Sequence, residues 1–157
     1  MPDTPATGSR PPRNLLGHPW PVLAAVSAGG VLGALARALL SRRFPPPPDG
    51  FAWVTFAVNV SGCLLIGGLM VLVSELWTGR RLLRPFLGVG VLGGYTTFSG
   101  YVLDAERGYA AGSPGPATAY LLATPVAAVL AAYLGSRLTR AAIRPRPDPP
   151  PPRTGAR

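Results

Sequence analysis

Gly88-Val89-Gly90-Val91-Leu92-Gly93-Gly94-Tyr95-Thr96-Thr97-Phe98-Ser99-Gly100 is the stretch that decides how this chain folds. It lies within an apolar segment, at about the depth where a membrane is thickest. Two adjacent glycines and two adjacent threonines make it a poor continuous helix. Non-helical main chain inside a bilayer leaves carbonyls without partners, so it is tolerated only where protein, an ion or a water-filled cavity satisfies them. The pattern therefore predicts a membrane helix broken between Gly93 and Thr97, and a break of that kind marks function.

Composition carries the membrane reading. Of 157 residues, 48% are hydrophobic and 13% charged, against about 25% charged in ordinary soluble domains. The charges gather at the borders of four apolar stretches, near residues 20–40, 51–76, 86–102 and 117–138. A bilayer's hydrocarbon core calls for roughly 20 apolar helical residues, and each stretch is of that order. A chain this short has no interior large enough to enclose four helices that are apolar all round, so burial in a globular core is excluded for the set. The fold class is thus an all-α membrane protein with four transmembrane helices. The first stretch follows a Pro-rich lead and runs into Arg37 without a small-residue cleavage pattern, which argues against a cleaved signal peptide. Residues 1–19 read as a disordered Pro-rich tail, 20–138 as the membrane domain, and 139–157 as a disordered Arg/Pro-rich tail.

The formal charge of +9 comes entirely from arginine, and those arginines sit beside spans and in the tails. This is topology information, and nucleic-acid binding is set aside. Four spans put both ends and the middle loop on one side. That side holds eleven arginines (Arg10, Arg13, Arg80, Arg81, Arg84, Arg137, Arg140, Arg144, Arg146, Arg153 and Arg157), and the other holds three (Arg42, Arg43 and Arg107). The positive-inside rule then places both termini in the cytoplasm of a cell membrane. The single Cys63 permits no intrachain disulfide.

Polar residues within spans are costly in lipid and tend to face a pathway or a partner. In the first span, Gly29 and Gly33 form a small-residue face for close packing, and Arg37 stands near the span's end, either snorkelling or serving a structural or pore-entrance role. Asn59 in the second span is either interhelical glue or a functional donor. Phe98, Tyr101 and Asp104 recur every three residues along one side of the resumed third helix. Tyr120 and Thr124 share a face of the fourth, where their hydroxyls either line a polar track or bond back to the helix. A nucleophile at Ser61 or Ser99 lacks a base, because the one histidine, His18, lies outside the spans. No enzyme is expected.

Three motifs in order, Gly29-Gly30 with Gly33-Ala34 and Arg37, Val58-Asn59 with Gly62 and Gly67, and the run from Gly93 to Ser99, resemble the CrcB/Fluc family of fluoride channels. The resemblance covers all four spans. It implies an antiparallel dimer with two anion pores along the subunit interface and one structural, untransported sodium ion at the centre. The ion's ligands would be the backbone carbonyls of Gly93 and Thr96 from each subunit. By the same resemblance, Asn59 offers amide N–H groups to fluoride and Phe98 a positive ring edge. Tyr101 departs from the family's second phenylalanine. Tyr120 and Thr124 match the hydroxyl track, and Asp104 the acidic position. The implied function is passive fluoride efflux that relieves toxicity.

Eleven arginines against three also bear on the partner. An inverted pair of identical chains favours little charge asymmetry, so the second, inverted subunit is either an identical copy or a paralogue of opposite bias. The alternative function is a small four-span multidrug-type exporter, which calls for an intramembrane carboxylate that the first span lacks.

Overall fold

The computed structural model describes residues 19–47, 50–77 and 79–143. Helix α1 (Trp20–Arg43) is followed by α2 (Trp53–Glu75), a π-helical segment (Arg84–Leu92), the single turn α3 (Gly93–Tyr95), α4 (Phe98–Ala110) and α5 (Pro114–Ile143). The described residues contain no strand. Four units, α1, α2, the composite third span Arg84–Ala110 and α5, are long and apolar enough to cross a membrane. At about 1.5 Å per residue, the shortest of them, 23 residues, exceeds a hydrocarbon core of roughly 30 Å.

The ends of these helices follow from local chemistry. Arg42 and Arg43 in the last turn of α1 complement its negative end, and the prolines beyond Phe44 cannot continue it. Between α4 and α5, Gly112 adopts φ 75°, the one left-handed residue described, and lets the chain reverse within a few residues. The N–H of Ser113 then closes onto the Gly108 carbonyl at 3.0 Å. The third span is longer than its apolar core, because α4 continues past Asp104 to Ala110. The expected tails lie largely outside the described residues; within the second of them, α5 continues to Ile143.

Two pairings build the bundle: α1 lies along the π-helical segment and α3, and α2 lies along α5. Small residues set the closeness of both. A Cβ on Gly33 would overlap the main chain of Val91 and Tyr95, and one on Gly94 the main chain of Gly30 and Ala34. Backbone therefore meets backbone, as the small-residue face of the first span predicts. In the second pairing Gly67 abuts Ala132, and Gly135 abuts Leu64. Ala52, Tyr101, Ala105 and Tyr120 form a buried cluster flanked by Phe51, Phe56 and Leu121. It lies toward the Arg107 end of the third span and locks α4 to α2 and α5.

Candidate functional site

The third span stays helical through Tyr95 and leaves the helix at Thr96 (φ −76°, ψ 157°) and Thr97 (φ −148°, ψ 122°). The break is thus narrower than the predicted interval of Gly93 to Thr97. Gly93 keeps helical angles (φ −65°, ψ −37°), and Gly94 is small because α1 presses against it, not because the chain unwinds there. The interruption belongs to the threonines, whose hydroxyls compete for main-chain groups. Thr96 Oγ1 donates to the Leu92 carbonyl at 2.9 Å, which also accepts the Thr96 N–H at 3.0 Å. Thr97 Oγ1 accepts the Gly100 N–H at 3.0 Å and so caps α4.

Asn59 bridges the gap. Its Oδ1 accepts the Thr97 N–H at 2.8 Å, and its Nδ2 donates to the Thr97 carbonyl at 3.0 Å. The amide replaces the helical partners that the peptide of Thr97 has lost, and one of its two N–H groups is left uncommitted by this pairing. In an unbroken helix the Thr97 N–H would serve the Gly93 carbonyl and the Gly100 N–H the Thr96 carbonyl. Both donors are turned elsewhere, which frees the two oxygens that the resemblance assigns to sodium. The intervening Gly94 carbonyl accepts from Arg37 Nε at 3.2 Å. Arg37 therefore has a structural contact at the break.

On the far side of Asn59 a cleft of about 330 Å³ is lined by Asn59, Cys63, Thr96, Thr97, Phe98, Tyr101 and Thr124, together with Pro125, Ala128 and Val129 of α5. Phe98 projects from it with 79% of its surface exposed, whereas Tyr101 is 8% exposed and donates its hydroxyl to the Leu121 carbonyl. Thr124 takes the second of its two predicted alternatives, donating back to the Tyr120 carbonyl at 2.7 Å. Tyr120, 1% exposed, sits behind the cleft with its ring 5.3 Å from that of Tyr101. Its hydroxyl has no hydrogen-bond partner among the described residues.

The structure thus gathers Asn59, Thr96, Phe98, Tyr101 and Thr124 at one cleft, with Gly93 and Arg37 at the break beside it. Asp104 stands apart. It accepts from Thr55 Oγ1 at 2.5 Å and from Arg107 at 3.3 Å, and it lines a separate cavity of about 370 Å³ with Pro46, Pro47 and Arg107. Sequence reasoning missed Thr55, Cys63 and Thr97 as members of these sites. Thr97 was findable, since a threonine directly before a resumed helix is a capping signal; Thr55 and Cys63 carry no local signal.

Four spans, the third interrupted midway beside a cleft that Asn59, Thr96 and Thr97 help to line, define a small helical multi-pass membrane protein. The chain belongs to the family described as CrcB-like protein, Camphor Resistance (CrcB), whose sequence profile matches residues 24–136. It is 50% identical over 119 residues to fluoride-specific ion channel FluC 2 of Nocardia farcinica, covering 76% of this chain and 85% of that one. It is 46% identical over 124 residues to fluoride-specific ion channel FluC 1 of Streptomyces coelicolor, covering 79% and 80%. With fluoride-specific ion channel FluC 2 of Thermobifida fusca it shares 54% over 112 residues, covering 71% and 83%.

Proposed function

We propose that this chain is one subunit of a fluoride-specific channel that lets fluoride leave the cytoplasm passively and so lowers its toxicity. The observation that carries the reading is the Asn59-bridged break opening onto a cleft that also holds Phe98 and Thr124. Relatives 46–54% identical that bear the name of fluoride channels support it.

Fluoride is small and strongly hydrated, so a selective path replaces its water with several donors in a space too narrow for larger halides. The uncommitted N–H of Asn59 is one such donor. The exposed ring of Phe98 offers a positive edge. Neither brings a full positive charge, which would hold the anion too tightly for release. One subunit leaves Phe98 exposed and the cleft open, and a second subunit in inverted orientation completes the path. The eleven-to-three arginine bias favours a paralogue of opposite bias over an identical copy, with both termini of this chain in the cytoplasm.

The residues at the break also fit a structural sodium ion. Hard cations prefer oxygen ligands, and the carbonyls of Gly93 and Thr96 have lost their helical donors. When bound there, the ion supplies positive charge to carbonyls that lipid cannot solvate.

The test is fluoride efflux from liposomes holding the purified chain, alone and with an equal amount of an inverted paralogue. Fluoride should leave and chloride should not, and Asn59→Asp should reduce efflux to that of empty liposomes. Absence of efflux from both preparations, or undiminished efflux in the variant, contradicts the reading. Labelling the tail from each side of the membrane settles the partner: tails found equally on both faces refute a paralogue.

A further inference from the structure

Pro125 lies inside α5, which remains helical from Pro114 to Ile143. Proline has no N–H, so the carbonyl four residues earlier, that of Leu121, loses its helical donor. The group that reaches this oxygen is the hydroxyl of Tyr101, from α4. We infer that Tyr101 is a positioning residue: its hydroxyl takes the place of the N–H that Pro125 cannot give, tying α4 to α5 beside the cleft.

Three observations converge on this pairing. Tyr101 is 8% exposed and belongs to the buried cluster with Tyr120, so its ring is held by its own subunit, while Phe98 one turn earlier is 79% exposed. Tyr101 and Pro125 both line the cleft that holds Asn59 and Thr124. A phenylalanine at position 101 would fill the same space but leave the Leu121 carbonyl bare in a medium that cannot solvate it. The inference rests on the proposed channel function for its consequence: Tyr101 and Pro125 both line the cleft, so the tie between them fixes the wall of the anion path. It also accounts for the tyrosine at this position. Its hydroxyl is committed to the protein, and Phe98 is left as the subunit's exposed aromatic at the break.

A double-mutant cycle tests the pairing through thermal unfolding in detergent and fluoride efflux from liposomes, for wild type, Tyr101→Phe, Pro125→Ala and the double variant. Tyr101→Phe should raise the unfolded fraction about tenfold and lower efflux measurably through the loosened cleft wall. With alanine at 125, a main-chain N–H again reaches the Leu121 carbonyl, so the double variant should match Pro125→Ala in both measurements. Equal losses from Tyr101→Phe on the proline and alanine backgrounds overturn the inference. Should Tyr101→Phe fail to fold, the comparison of Pro125→Ala with the double variant decides alone: parity supports the pairing and a second loss refutes it. If wild type carries no fluoride, the channel reading fails, and the unfolding arm still judges the pairing.

Discussion

The two halves of the third span meet the same membrane by opposite means. From Arg84 to Tyr95 the chain stays helical and uses small residues to bring its backbone against α1, with Arg37 reaching the Gly94 carbonyl at its end. From Thr96 onward it gives up helical bonds and passes them to side chains: Asn59 for the peptide of Thr97 and Thr97 for the start of α4. The first half is held by shape and the second by hydrogen bonds. Where the backbones touch, at Gly90 and Gly94, an added carbon has no room, and hydrogen bonds tolerate no lost donor, so the halves should fail under different substitutions.

The largest expected effect is at Asn59. Asn59→Ala leaves both the N–H and the carbonyl of Thr97 without partners in the membrane, which should cost about 2–6 kcal/mol and abolish fluoride efflux, read by thermal unfolding in detergent and by efflux from liposomes. Next comes Gly33→Val, whose side chain would overlap the main chain of Val91 and Tyr95. Overpacking of this kind costs roughly 1–3 kcal/mol or more. Thermal unfolding should show the loss, and Asn59 should still bridge the break. Thr97→Ala removes the cap of α4 and should cost about 1 kcal/mol, whereas Thr97→Ser should restore it, measured in the same assay. The smallest effect belongs to Gly30→Ala. No heavy atom lies within 4 Å of the added carbon, so stability should rise by up to about 1 kcal/mol through the helix preference of alanine. A large loss there would show that the small-residue face is wider than Gly29 and Gly33.

Much of this could be read from residues alone, because hydropathy and span length report directly on the membrane. All four spans fall where apolar runs predict them, and the packing face of Gly29 and Gly33 follows from spacing. The position of the break was only half legible. Two neighbouring glycines suggest unwinding, but their smallness is used by α1, and that partner is distant in sequence. Asn59 was singled out, but its bidentate hold on Thr97 depends on a register between α2 and the third span that neither segment reveals. The π-helical winding of Arg84–Leu92 carries no signal in the residues, and the contact of Tyr101 with Leu121 depends on how α4 meets α5. Cys63 reached the cleft for the same reason, one helical turn beyond Asn59.

The central claim is that the third span is interrupted at Thr97 and held there by Asn59. The most direct measurement is the dipolar coupling between a ¹⁵N label at the Thr97 amide and a ¹³C label at the Asn59 side-chain carbonyl, in protein reconstituted into lipid with sodium and fluoride present. A strong coupling is expected, because Asn59 Oδ1 lies 2.8 Å from the Thr97 nitrogen. A vanishing coupling, with the Thr97 amide bonded instead to the Gly93 carbonyl of an unbroken helix, would contradict the account.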